Sequence, residues 1–249
     1  MRHNVGAEES LRVAVVSDIH GNRTAFQAVL EDLREAAPDL VLHAGDLADG
    51  GSGPVEIVDQ IRDLGWPGVM GNTDQALCAP EILEQFASHA PHLDSLWTAV
   101  REMAAFTREL LGEERLKWLG RLPEMHFSGE LAMVHASPES CWRAPFPEAS
   151  SDDLDSIYAK LHRPLVVYGH IHRPFIREVG GLTVINAGSV GLPHDGDARA
   201  SYLLVDDSKP QIRRVEYDVE AEIELIEQSG IPHAAWMTKM LRSAAPQLP

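Results

Sequence analysis

Along the first half of the chain, short apolar runs alternate with stretches whose apolar positions recur at three- and four-residue spacing. Leu11 to Ser17, LRVAVVS, is apolar at consecutive positions, the pattern of a buried strand. Thr24 to Ala36 then places Phe26, Val29, Leu30 and Leu33 at helical spacing, which completes one βα unit. Asp39 to Ala44 repeats the strand pattern, Gly50 to Pro54 breaks the chain, and Val55, Ile57, Val58, Ile61 and Leu64 mark a second helix. Val69 and Met70 are expected to form a short third strand.

From Pro80 to Gly120 the apolar positions, among them Phe86, Trp97, Phe106 and Trp118, suggest helices with no strand between them, a helical insertion or lid at about 80–120. Strand patterns return at Leu131 to Val134, Leu165 to Tyr168, Leu182 to Ile185, Ser201 to Val205 and Gln211 to Tyr217. The last three are expected to be hairpin-connected. Terminal helices are predicted at Glu220 to Gln228 and Ala234 to Leu241. The second carries Trp236, Met237, Met240 and Leu241 on one face, for packing on the sheet or for a dimer contact. Strands linked by crossover helices, without an internal repeat, give an α/β protein whose residues 1–249 form a single domain.

Charge and cysteine usage narrow the function classes. The 249 residues carry a net charge of -17, which repels a long polyphosphate, so stable binding of duplex nucleic acid is not expected. No apolar run approaches the roughly 18 residues of a membrane helix. The polar start, Met1 to Ser10, lacks the apolar core of a secretion signal, and the 2 cysteines, Cys78 and Cys141, read as free reduced thiols; the expected location is cytoplasmic.

Candidate chemistry lies where the predicted strands end. Asp18 and His20 follow the first strand, Asp46 the second, Asn72 the third, His135 follows Val134, and His170 and His172 follow the run ending at Tyr168. In an open α/β sheet the carboxyl ends of the strands share one edge, so these side chains should converge. Carboxylate, amide and imidazole donors in this number suffice for two divalent ions, and the oxygen and nitrogen mixture suits manganese, iron or zinc. Read singly, Asp18, Asp46 and Asn72 are ordinary helix caps. That reading leaves the four histidines unexplained.

At these residues the chain resembles the calcineurin-like metallophosphoesterases. Asp18-Ile19-His20, Gly45-Asp46-Leu47-Ala48-Asp49, Gly71-Asn72-Thr73-Asp74, His135 and Gly169-His170-Ile171-His172 match that family's five ordered blocks, and Asn186 to Gly191 is similar to a loop of its bacterial small phosphodiesterase-like branch. The resemblance implies a four-layer α-β-β-α sandwich of two mixed sheets flanked by helices. It also implies that Asp18, His20, Asp46 and His172 hold one metal while Asp46, Asn72, His135 and His170 hold the other, with Asp46 bridging. Asp46, Asn72 and His135 are carried over as catalytic. The implied reaction is hydrolysis of a phosphomonoester or phosphodiester, in a small molecule or nucleotide, by hydroxide generated on two divalent ions: manganese foremost, with iron, zinc or nickel as alternatives. The competing reading is a non-catalytic metal-binding scaffold of the same fold, which the intact ligand set disfavours.

One departure from the family bears on mechanism. Many members carry histidine directly after the motif asparagine, where this chain has Thr73. A threonine hydroxyl is no acid at pH 7, so either another group protonates the leaving group or good leaving groups are preferred. Asp74, His43 and His194 are the candidates for that proton. Asp49 is expected to orient His20 or another ligand. His43 is otherwise a satisfied core histidine, and His194 otherwise belongs to a surface turn. Arg143 is read either as a contact to a distal phosphate or as an exposed arginine, and Trp97 with its neighbours either as core or as pocket lining.

Overall fold

The first strand, β1 (Val13–Val16), is buried at every position because both of its faces are covered. Ala14 and Val16 pack among helices, and Val13 and Val15 pack against a second sheet. That is why its sequence runs apolar without alternation. The computed structural model describes residues 11–249; the polar segment 1–10, read above as lacking a secretion signal, lies outside the described residues.

The chain continues through α1 (Arg23–Ala36), β2 (Leu40–His43), α2 (Pro54–Leu64), α3 (Asn72–Cys78), α4 (Glu81–His89) and α5 (Asp94–Leu119). Then follow β3 (Met125–Ser128), β4 (Leu131–Val134), α6 (Ser151–Tyr158), β5 (Leu165–Tyr168), β6 (Phe175–Val179) and β7 (Leu182–Asn186). The last elements are β8 (Ala200–Asp206), β9 (Lys209–Val215), α7 (Val219–Ser229) and α8 (Ala234–Ser243).

Two mixed sheets result, one ordered β2-β1-β8-β9 and the other β3-β4-β5-β7-β6. In the first, β1 and β2 are parallel; in the second, β4, β5 and β7 are parallel. The sheets face one another across an apolar layer that includes Val15, Leu42, Met133, Val167, Ile185 and Leu203. Helices α1 to α5 cover the outer face of the first sheet, and α6 covers that of the second through Leu154 and Tyr158. The expected four-layer sandwich is what forms.

Two details of the expected topology are corrected. Val69 and Met70 are not a strand: Gly68 makes an isolated parallel bridge to His43, and the Val69 amide donates to the His43 carbonyl at 3.0 Å, after which the chain turns into α3. Nor is β7 joined by a hairpin to β8. It pairs with β5 and, antiparallel, with β6, while β8 crosses to the other sheet and forms its hairpin with β9. β5, buried at every position, gives β7 an apolar partner on one side, and β6 covers its other edge.

Candidate metal centre

Backbone pairing past the ends of β1 and β2 builds the floor of the site. The amides of Asp18, His20 and Gly21 donate to the carbonyls of Gly45, Asp46 and Leu47, each at 3.0 Å, so the two loops run side by side. Asp18, His20, Asp46, His170 and His172 all have positive φ, between 50° and 66°, a region non-glycine residues enter rarely. Such strain concentrates where a fold holds functional groups against their own preference. Close backbone approach is also required at Gly71, where a Cβ would collide with the Asp46 carboxylate.

Asp18, His20, Asp46 and His172 form a buried group whose candidate ligand atoms all lie within 4.8 Å of one another. The Nδ1–H of His20 donates to the Asp49 carbonyl at 2.8 Å, and that of His172 to the Leu192 carbonyl at 2.5 Å. Both rings therefore turn Nε2 inward, and the two Nε2 atoms stand 3.2 Å apart. Two imidazole lone pairs at that distance repel unless a proton or a metal ion lies between them. His172 Nε2 is also 3.2 Å from Asp18 Oδ1. Burial lowers the proton affinity of His172, but the Asp18 carboxylate, the Leu192 carbonyl and the Asp46 charge together outweigh it, and the net shift is upward. For Asp18, burial works to raise its pKa, and the facing histidines, His172 first, carry it well below the usual carboxylate range. Asp18 and Asp46 are nearly inaccessible, and among the described residues only histidines pair with them. Buried carboxylates without a Lys or Arg partner demand a cation, so the donor set fits a divalent metal.

A second group adjoins the first. His135 donates Nδ1–H to the Ala44 carbonyl at 2.7 Å, leaving Nε2 2.9 Å from Asn72 Oδ1. His170 Nδ1 approaches the same oxygen at 2.7 Å, and burial holds this ring neutral by pulling it down to about 4. Turned over, the Asn72 amide would donate to both rings and to Asp46 Oδ2. As oriented, its oxygen faces His135 Nε2 and His170 Nδ1, and the contact is favourable only where those nitrogens carry protons or a cation lies among the three atoms. Asp46 Oδ2 lies 3.6 Å from His20 Nε2 and 3.5 Å from His135 Nε2, within reach of both groups.

Residues behind the cluster set its shape. The Asp74 carboxylate accepts from the amides of Asp46, Leu47 and Gly71 at 2.8 to 3.0 Å and pins the Asp46 loop to the start of α3. Burial, with the Asp46 charge beside it, pushes Asp74 up to about 6. Asp49 orients His20 through its backbone carbonyl rather than its carboxylate. The side chain accepts from the Thr107 hydroxyl at 2.7 Å, and burial pushes it up to about 7. The Asn186 to Leu192 loop is held to β1 by Ser189 Oγ, which donates to the Asp18 carbonyl at 2.6 Å, and in turn presents the Leu192 carbonyl to His172. Thr107 and that carbonyl carry no sequence signal, since a backbone acceptor is invisible there and Thr107 lies on α5, far along the chain.

The remaining candidates separate. His194 stacks on His172 with ring centroids 4.4 Å apart, and its Nε2 is buried without a partner. His43 is fully buried beneath the site, both ring nitrogens unpartnered, so it is a core histidine but not a satisfied one. Arg143 is exposed and lines neither groove beside the centre. Trp97 stacks behind Phe86 rather than lining a pocket.

Known proteins resemble this chain in sequence and in fold. Residues 11–209 match the model of the calcineurin-like phosphoesterase superfamily domain. The chain is 33% identical over 252 aligned positions to an uncharacterised protein of Methanocaldococcus jannaschii, covering 92% of this chain and 96% of that one. It is 25% identical to phosphodiesterase YfcE of Escherichia coli, covering 90% and 98% respectively. A crystal structure of a metallophosphoesterase from Sphaerobacter thermophilus is similar at a TM-score of 0.77 and 27% identity, covering 95% of this chain and all 100% of that one. The matched segment contains each strand end that contributes to the cluster, and the chain belongs to the calcineurin-like phosphoesterase superfamily.

Proposed function

We propose that the protein is a metal-dependent phosphodiesterase acting on diesters of small molecules or nucleotides at a centre of two divalent ions. One observation carries the reading above the others: two groups of inward-facing lone pairs that share Asp46, built around carboxylates paired with no Lys or Arg among the described residues. In this reading Asp18, His20, Asp46 and His172 hold one ion, and Asp46, Asn72, His135 and His170 hold the other. The ions, manganese foremost with iron, zinc or nickel as alternatives, would supply Lewis acidity to the phosphoryl oxygens and a nucleophile from water near neutral pH. The chain's own part is positioning. The carbonyls of Ala44, Asp49 and Leu192 fix the tautomers of His135, His20 and His172, and Asp74 fixes the loop that carries Asp46.

The name of the E. coli relative, phosphodiesterase, favours diesters. Thr73 occupies the position after Asn72, and its hydroxyl, buried without a partner, is no proton donor at pH 7, so without another acid the site suits groups that leave as anions, from a monoester or a diester alike. Both cysteines are free, which fits a reducing, cytoplasmic setting. No helix among the described residues is long and apolar enough to cross a membrane.

The test is hydrolysis of bis-p-nitrophenyl phosphate against p-nitrophenyl phosphate by metal-stripped protein resupplied with manganese, iron, zinc or magnesium. Faster diester turnover, abolished in Asp46→Asn, is the expected result. Faster monoester turnover would make the protein a phosphatase, and undiminished metal-dependent turnover in Asp46→Asn would remove the centre from the chemistry.

A further inference from the structure

Segment 50–53 reads Gly-Gly-Ser-Gly and begins directly after Asp49, whose carbonyl orients His20. So many glycines leave it little conformational preference of its own. Gly50 has φ 118°, and Gly51 lies so close to Gly21 that a Cβ on it would strike the Gly21 backbone. The bare chain lets the loop of His20 and the loop of Asp46 touch, and it also leaves them free to drift. A group outside both loops has to fix them.

That group is Glu222. It shares a face of α7 with Ile223 and Ile226 and is fully buried, a rare place for a glutamate. Its Oε1 accepts from the Ser52 amide at 3.1 Å, and its Oε2 accepts from the Thr24 amide at 3.0 Å and the Thr24 hydroxyl at 2.7 Å. Thr24 stands in the first turn of α1, just after His20, and Ser52 follows Asp49 in the glycine-rich segment. One carboxylate therefore bridges the two loops, with one oxygen on each. Three neutral donors, one of them an amide at the positive end of α1, offset the burial of its charge.

The rest of the terminal helix pair supports the same place. Met237 of α8 closes over Gly50, its terminal methyl 3.0 Å from where a Cβ would stand. Leu192, whose carbonyl orients His172, packs in one apolar cluster with Ile223, Ile226 and Met237. The family match ends at residue 209, so α7 and α8 lie beyond it.

We propose that Glu222 is a positioning residue for the metal centre: by tying Ser52 to Thr24 it holds the Asp49 carbonyl against His20, and so sets the affinity of the first ion, the one assigned to Asp18, His20, Asp46 and His172. The proposal rests on the two-ion reading. Its consequence is selective. Asp74 pins Asp46 from the α3 side, and the hydrogen bonds of Glu222 reach none of the loops that carry Asn72, His135 and His170.

The experiment is calorimetric titration of metal-stripped protein with manganese, in which His20→Ala identifies the binding step of the first ion. Glu222→Gln keeps one acceptor oxygen and sets an NH₂ group against a donor, so one of the two loops is released. It should weaken the first-ion step about ten- to a hundredfold, the usual cost of losing a partner behind a ligand, and leave the other step in place. Urea unfolding of the metal-free variant separates positioning from stability. A lower unfolding free energy with both steps unmoved would make Glu222 structural only, and equal weakening of both steps would make its support general; either result overturns the proposal. If Glu222→Gln does not fold, Thr24→Val carries the test, since it removes one of the three donors at a half-buried position. Its weakening should again be confined to the first ion, and unmoved steps would overturn the proposal. A wild type that binds no manganese removes the metal centre itself, whereas identical steps in wild type and variants remove only the role of Glu222.

Discussion

At the scale of single residues, two side chains outside the set of candidate ligands matter most, Asp74 and His43. Asp74 satisfies three buried amides with one carboxylate, so Asp74→Ala leaves all three without acceptors. A buried unsatisfied donor costs about 1–3 kcal/mol, and the loop can relax only in part, so a loss of about 3–5 kcal/mol is expected in urea unfolding. Bound metal should fall with it, because the same carboxylate places Asp46. His43 has the opposite problem, a ring with no partner at all. Burial, and after it the neighbouring His126, depresses His43 to about 3, against 6.5 for an ordinary histidine. Above pH 6.5 neither the folded nor the unfolded chain protonates it. Between pH 6.5 and 3 only the unfolded chain does, so stability is lost as pH falls through that window. At pH 5 this single group removes about 2 kcal/mol relative to pH 7.5. The unfolding free energy of His43→Leu in urea should therefore decline less between those pH values than that of the wild type, by about 2 kcal/mol. An equal decline would place the acid sensitivity elsewhere.

At the scale of elements, the sequence pattern was most informative where both faces of a strand are buried. β1, β4 and β5 read as unbroken apolar runs because helices and a second sheet cover them. β3 and β6 escaped notice because they lie at the edges of the second sheet, half-exposed, with polar residues interleaved as in His126 and Arg177. α6 escaped for a related reason: SDDLDSIY buries only Leu154 and Tyr158, too few to show a period, although its Ser150 cap accepts from the Asp153 amide at 3.1 Å. The helical character of 80–120 was legible, but the break within α5 was not. Gly112 has φ 66° and ψ 172° there, and an added Cβ would meet nothing within 4 Å. Gly112→Ala is thus a test of backbone strain free of steric collision. A cost of about 1–3 kcal/mol is expected, in thermal or urea unfolding. No loss would mean that the helix straightens through this point when given a better helix former.

At the scale of the molecule, the seven ligand-type residues were legible because each follows a strand or a chain running beside one, and parallel strands bring those ends to a common edge. What joins them was not legible, since the carbonyls of Ala44, Asp49 and Leu192 are backbone atoms. The cluster also joins two sheets: Asp18, His20 and Asp46 come from the first, and His135, His170 and His172 from the second. Away from this edge the sheets meet through apolar side chains. At the edge they meet through buried carboxylates and imidazoles in a chain of net charge -17. A cation held there favours the folded state alone, because the unfolded chain does not bring the donors together. At a free concentration one hundredfold above Kd, one ion adds about 2.7 kcal/mol. For a chain of this length each kcal/mol moves Tm by roughly 2–4 °C, so manganese should raise the Tm of chelator-treated protein by roughly 5–11 °C per site. Asp46→Asn should lose most of that rise, because Asp46 reaches both ligand groups, whereas His43→Leu should keep it. A rise of equal size in Asp46→Asn would mean that the ions act on the acidic surface, and the two sheets would then owe nothing to a metal at their shared edge.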